Sequence, residues 1–117
     1  MSDAVSGPAF RQIIVDVTKL RDYCLSPSHA HGRHKARVFR ARLGLQPADA
    51  EFLQGALINA VRSNPEKLLP TKVDHHGQRY ALDFEISTIT GTGIVRSIWI
   101  IPTGSEDVLR FVTCYVR

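Results

Sequence analysis

No apolar run in the 117-residue chain approaches the roughly 18 to 20 residues that span a bilayer, and the opening MSDAVSGPAF has neither a basic start nor an apolar signal core. A membrane anchor and export are not expected, and the chain is expected to act in the cytoplasm. Cysteine is scarce. Cys24 and Cys114 fit no CxxC or zinc-ribbon spacing, and reduced buried thiols are their expected state. Internal repeats are absent, and with 44% hydrophobic and 22% charged residues the composition is that of an ordinary globular protein. One domain is expected over residues 10–117, at a size where folding buries roughly two-thirds of the unfolded surface. Residues 1–9, small, polar and containing glycine and proline, read as a disordered tail.

Acidic residues are also missing from Tyr23 to Ala48, whereas Arg33, Lys35, Arg37, Arg40 and Arg42 fall within that stretch together with His29, His31 and His34. The net charge is +4 and the pI about 9.4. A cationic run of this kind serves either as a solvated helix face or as a phosphate-binding surface.

Periodicity divides the chain into a helical half and a strand half. Phe10 to Val17 is rich in β-branched residues and reads as an edge strand or extended arm. Thr18 to Leu25 reads as a short helix that stops before Pro27, and Ser26 to Gly32 as a loop. Arg33 to Leu43 carries Ala36, Phe39 and Leu43 on one stripe, with Gly44 as the C-terminal stop. A third helix from about Ala48 to Ser63 is expected to bury Phe52, Leu53, Ala56, Leu57, Ala60 and Val61. Beyond Pro70 the period becomes two: a short strand near Lys72 to His75, a turn at His76-Gly77, then Tyr80 to Ile86, Ile94 to Ile101 and Val108 to Val116. Helices followed by an antiparallel sheet of about four strands define an α+β fold, with the helices on one face of the sheet.

The segment from His29 to Ala36 has the strongest claim to chemistry. It combines imidazoles, a glycine and cations at a helix start, where backbone amides favour anions. Cleavage of RNA without metal needs a base for the 2′-hydroxyl, an acid for the leaving oxygen and cations for the developing phosphorane charge. The plainer alternative has His29 and His31 bonding to local backbone while Lys35 is solvated. The five histidines match no zinc spacing, and neither a metal nor another cofactor is expected.

In the last two strands, alternation puts Val95, Ser97, Trp99 and Ile101 on one face and Arg96 on the other. It also puts Thr113 and Tyr115 on the face of Leu109 and Phe111. A hydroxyl pair beside an aromatic could hold a phosphate and stack a base. Core packing of Trp99 and Tyr115 is the alternative.

The string Tyr23-Cys-Leu-Ser-Pro-Ser-His29-Ala-His-Gly32-Arg-His-Lys35-Ala36, followed later by Trp99-Ile-Ile and Thr113-Cys-Tyr115, resembles a family of small uncharacterised bacterial domains. Those domains read histidine-proline-x-glycine-x-x-lysine-alanine, then tryptophan-isoleucine-isoleucine and threonine-x-tyrosine. They are in turn similar to toxin ribonucleases of the barnase, EndoU, colicin and RelE superfamily. The resemblance implies a metal-independent endoribonuclease toxin domain of a toxin-antitoxin or competition system, acting on RNA, tRNA among the targets, and met by a cognate acidic antitoxin or immunity protein. His29, Gly32, Lys35, Trp99 and Thr113 match motif positions, while Ala30 replaces the usual proline. On this reading His29, Lys35, Thr113 and Tyr115 are catalytic, and His31, Arg33, Arg96 and Trp99 contact substrate. The alternatives are a non-catalytic nucleic-acid- or protein-binding module, including the immunity or antitoxin half of such a pair, and a metal-dependent hydrolase. The basic charge argues against the antitoxin half, since inhibitors of basic nucleases gain on-rate from being acidic.

Overall fold

The computed structural model describes residues 10–117, so the tail expected at residues 1–9 lies outside the described residues. The chain opens with β1 (Gln12–Ile14) and α1 (Val17–Lys19), which widens without a break into a π turn over Leu20–Cys24. Asp16 starts it by accepting a hydrogen bond from the Thr18 amide at 2.9 Å. Two longer helices follow, α2 (Arg33–Leu43) and α3 (Ala50–Ser63), and then β2 (Leu69–Asp74), β3 (Gly77–Ser87), β4 (Thr92–Pro102) and β5 (Val108–Val116).

The five strands form one sheet in the order β1-β5-β4-β3-β2. Pairing from β2 to β5 is antiparallel, as successive hairpins dictate, but β1 joins β5 in parallel, matching Gln12 to Val108 and Ile14 to Arg110. The sheet is therefore mixed and has five strands, one more than the antiparallel set expected, and the added strand is the short Phe10 to Val17 arm. β1 covers only the first part of β5. Among the described residues, no strand lies on that side of β5 beyond Arg110.

The helices pack on one face of the sheet. α2 buries Ala36, Phe39 and Leu43, and α3 buries Ala50, Leu53, Leu57, Ala60 and Val61. They meet Leu82, Ile86, Val95, Trp99, Leu109 and Phe111 from the strands. Full burial of a side chain such as Phe39 or Leu57 is worth about 1.5–3 kcal/mol, so the two stripes hold the layers together. The stripe expected on α3 needs correction at two places: Ala56 is only half-buried, and Phe52 stays 53% exposed, because Ala50, one turn before Leu53 and two before Leu57, takes the core-facing place at the helix start. α2 ends at Gly44 in the left-handed conformation (φ 68°), where its amide bonds back to the Arg40 carbonyl.

A second correction concerns β5. Trp99 pairs with Phe111 while Ile98 pairs with Thr113, so Val112 is an extra residue, a β-bulge. Before the bulge, Leu109 and Phe111 face the core; after it, Cys114 and Val116 do. Thr113 and Tyr115 are the register partners of Ile98 and Arg96, and no longer share the face of Leu109 and Phe111.

Candidate functional site

The loop between the π turn and α2 is held by His29. Its Nδ1 accepts the backbone amides of His31 and Gly32, both at 3.0 Å, and its carbonyl accepts the Arg33 amide at 3.0 Å. The imidazole therefore plays the part that an asparagine plays in an Asx turn. With Nδ1 an acceptor, the proton of the neutral ring sits on Nε2, which is left as a donor. The Tyr23 ring stands edge-on to it at 4.7 Å. Gly32 lets the loop close against the π turn: a Cβ there would lie 2.1 Å from the Tyr23 carbonyl oxygen.

This closure aims α2 so that Lys35 reaches the uncovered edge of β5. Its Nζ donates to Thr113 Oγ1 at 3.1 Å and to the Tyr23 hydroxyl at 3.4 Å. It also lies 5.1 Å from the Tyr23 ring centroid and 5.8 Å from that of Tyr115. Among the described residues no carboxylate pairs with this half-buried cation. An ammonium ringed by two hydroxyls and two aromatic faces, and not neutralised, is suited to receive an anion.

Arg96 sits on the neighbouring strand, with Tyr115 as its register partner. Asp83 takes its guanidinium in two bonds, at 2.8 and 3.0 Å, and also accepts Arg117 at 2.8 Å. Hydrogen bonding to Arg96 holds the Asp83 carboxyl below the usual carboxylate range, and the same pairing, aided by Tyr115, raises Arg96 above the usual arginine range. Arg96 is thus at the site but already engaged by a carboxylate.

Beneath Lys35 lie the two thiols, 90 positions apart in the chain and both buried. Cys24 Sγ is 3.8 Å from Thr113 Oγ1. A hydrogen bond with the Cys114 thiol lowers the Cys24 thiol to about 6 despite burial, with Thr113 and the Lys35 charge adding to the effect. Burial pushes Cys114 well above the usual thiol range.

His29, Lys35, Thr113 and Tyr115 are thus brought together, with Arg96 beside them. Three substrate contacts expected from the sequence fall elsewhere or have another task. Trp99 is fully buried, edge-on to Phe111 at 5.6 Å, and its Nε1 donates to Ser97 Oγ at 2.8 Å, so it cannot stack a base in this conformation. Ser97 Oγ in turn donates to the Leu82 carbonyl at 2.8 Å, which completes the buried polar pair. Arg33 lies on the flank of α2 turned away from β5. His31 is exposed and contributes its amide to the His29 turn, its ring tilted against His29 at 5.9 Å. Sequence reasoning did not assign roles to Tyr23, Asp83 or the thiol pair. Tertiary contact alone brings Tyr23 and the thiols to Lys35 and Asp83 to Arg96; Tyr23 stands in the sequence only as the first residue of the motif string, and no local pattern marks the others.

The class defined by this geometry is an α+β domain with helices on one face of a five-stranded mixed sheet and a cationic, hydroxyl-lined site at the open edge of β5. The chain belongs to the family described as a domain of unknown function, DUF6883, whose model matches residues 7–117. No curated protein matches it in sequence. Its fold is similar to a solved chain of a contact-dependent growth inhibition toxin and immunity protein complex from Klebsiella pneumoniae 342, with a TM-score of 0.66 and 14% identity over 89% of this chain and 99% of that one. No helix among the described residues is long and apolar enough to cross a membrane.

Proposed function

We propose that the chain is the toxin half of a toxin and immunity pair, a domain that binds RNA at the Lys35 site and cleaves it without a metal. The observation that carries this reading is Lys35: a half-buried ammonium without a carboxylate partner among the described residues, held between Tyr23 and Thr113 at the edge of β5. The similarity in fold to a chain of a toxin and immunity protein complex is consistent with it.

In this reading the scissile phosphate sits against Lys35 and the Thr113 hydroxyl; the 2′-oxygen attacks phosphorus as its proton passes to His29 Nε2, and the resulting imidazolium returns a proton from Nε2 to the 5′-oxygen as it leaves. Lys35 stabilises the negative charge that builds on the phosphorane oxygens. His29 offers Nε2–H to the same group. For His29 to accept the 2′-proton at Nε2, the ring must first shift its own proton to Nδ1, which releases the two amides of the turn. Acid-base work by His29 is therefore coupled to opening of the loop ahead of α2.

A second reading, a non-catalytic binding module that is the partner half of such a pair, draws support from the same imidazole: its Nδ1 already serves the turn, and Arg96 is already engaged by Asp83. Incubation of the purified protein with total bacterial RNA in chelator separates the two. Discrete cleavage that is lost in Lys35→Ala is the expected result. Intact RNA from pH 5 to pH 9, roughly the range over which histidine and thiol groups change charge, would discard the nuclease reading in favour of the binding module.

A further inference from the structure

The cationic run of α2 divides between two flanks. Lys35 and Arg42 face β5, where they reach Thr113 and the Arg117 carbonyl. Arg33, Arg37 and Arg40 occupy the opposite flank and form one wall of a groove of about 530 Å³ between α2 and the segments on either side of it. Apart from Gln46 the rest of its lining is apolar: the nearly buried Leu25 and Leu45 form the floor, and Pro27, Ala41 and Pro47 give the accessible aliphatic strip beside the arginines. No acidic residue lines it, and none of the three arginines has a carboxylate partner among the described residues.

A row of free guanidinium groups beside an aliphatic wall is complementary to a ligand with carboxylates along one side and aliphatic side chains next to them. The three arginines are spaced at i, i+4 and i+7, and rise over roughly 10 Å of helix axis. A second helix repeats its own carboxylates at that same spacing. Nucleic acid fits less well. Among the described residues the groove has no aromatic ring on which a base could stack, so nucleic acid would be held by its phosphates alone and would leave the aliphatic strip unused.

We propose that this groove docks an acidic, leucine-bearing helical segment of a partner protein, at a site separate from the Lys35 edge. The contact goes beyond the nuclease reading and stands whether or not RNA is cleaved at Lys35. Bidentate pairs between arginine and carboxylate would set the register of the helix, and the aliphatic strip would supply its apolar burial.

The probe is a fluorescently labelled helix-forming peptide of about 16 residues, long enough to hold helical structure, with glutamates on one face and leucines on the adjoining one. A version with glutamine for every glutamate and a single-stranded RNA of similar length are tested in parallel. Binding is followed by anisotropy, and its location by backbone amide shifts of the full chain. The acidic peptide is expected to bind and to move resonances of residues 25–47. Its affinity should fall by about tenfold or more in the doubly reversed Arg37→Glu, Arg40→Glu protein and with the glutamine peptide, as expected when charge pairing carries the contact. Lys35→Ala should leave peptide binding unchanged, which separates this groove from the RNA site. Both arginines are exposed, so the reversed protein should keep its amide spectrum away from α2. Absence of peptide binding, binding that survives charge reversal, or RNA in place of the peptide moving the groove resonances would each overturn the proposal.

Discussion

Lys35 Nζ lies 3.1 Å from Thr113 Oγ1, joining a residue of α2 to one 78 positions later across the unpaired edge of β5. If that ammonium receives phosphate, Lys35→Ala should lower RNA cleavage by about two orders of magnitude or more, the cost of losing a charge-stabilising donor. Thr113→Val keeps the shape but removes the hydroxyl that orients Lys35, and should cost less. Single-turnover cleavage rates in chelator check the ranking, and equal losses in the two variants would contradict it.

His29 carries two tasks that substitution can separate. His29→Ala removes the acceptor of two amide hydrogen bonds and should destabilise the fold by about 1–3 kcal/mol, at roughly 0.5–1.5 for each bond. His29→Asn restores an acceptor of the Asx type, recovering most of the stability while lacking Nε2. Urea unfolding and RNA cleavage measured on both variants decide the matter. An inactive but stable His29→Asn would assign chemistry to Nε2, whereas full activity in that variant would leave His29 a structural residue.

How much of this was legible in the sequence depends on which contacts were local. The α2 stripe of Ala36, Phe39 and Leu43 and the stop at Gly44 follow from helical spacing and backbone chemistry, and the structure has both. The hairpin strands follow from two-residue alternation between turns. The pairing of β1 with β5 does not, because a three-residue strand gains its place only from a partner at the far end of the chain. The bulge at Val112 was hidden as well: Phe111-Val112-Thr113-Cys114-Tyr115 alternates acceptably in either register, and only the fit of Trp99 against Phe111 and of Cys114 against Ser97 selects the interrupted one. The segment from His29 to Lys35 could be found from its residue types, but the partners of Lys35 could not.

Trp99 offers a direct check on its placement. Buried and bonded through Nε1 to Ser97, it should resist quenching by iodide, and RNA bound at the Lys35 edge should not stack on it. Ser97→Ala leaves the indole N–H without its partner in the core and should cost about 1–3 kcal/mol. The quenching constant of the single tryptophan and a denaturation curve test both parts, and strong quenching in the native state would mean that the ring is exposed.

Gly32 is needed for space and not for a left-handed backbone, since its φ is −93°. A methyl group there would overlap the Tyr23 carbonyl at 2.1 Å, and backbone on both sides leaves little room to give. Gly32→Ala should therefore destabilise by about 1–3 kcal/mol, the usual range for overpacking, and should also move Tyr23 away from Lys35. Chemical denaturation supplies the first readout and the chemical shift of the Tyr23 ring protons the second. A variant as stable as the parent would show that the loop does not close as described.

The thiol pair gives the pH dependence a definite sign. Cys24 is lowered to about 6, chiefly by the hydrogen bond with Cys114, whereas an unfolded cysteine titrates near about 8.5. A depressed folded value means that the folded state binds fewer protons between those limits. The stability contributed by this group is therefore fully present above about 8.5, and is lost as pH falls through about 6. Thiolate absorbance in the near ultraviolet should accordingly appear with a midpoint near 6 in the parent protein. It should vanish in Cys24→Ser and shift to higher pH in Cys114→Ala, which removes the largest cause of the depression. In Lys35→Met the midpoint should rise by a smaller amount, since the ammonium contributes less than the neighbouring thiol. A parent midpoint at the unfolded value would mean that Cys24 and Cys114 do not share a hydrogen bond beneath the site.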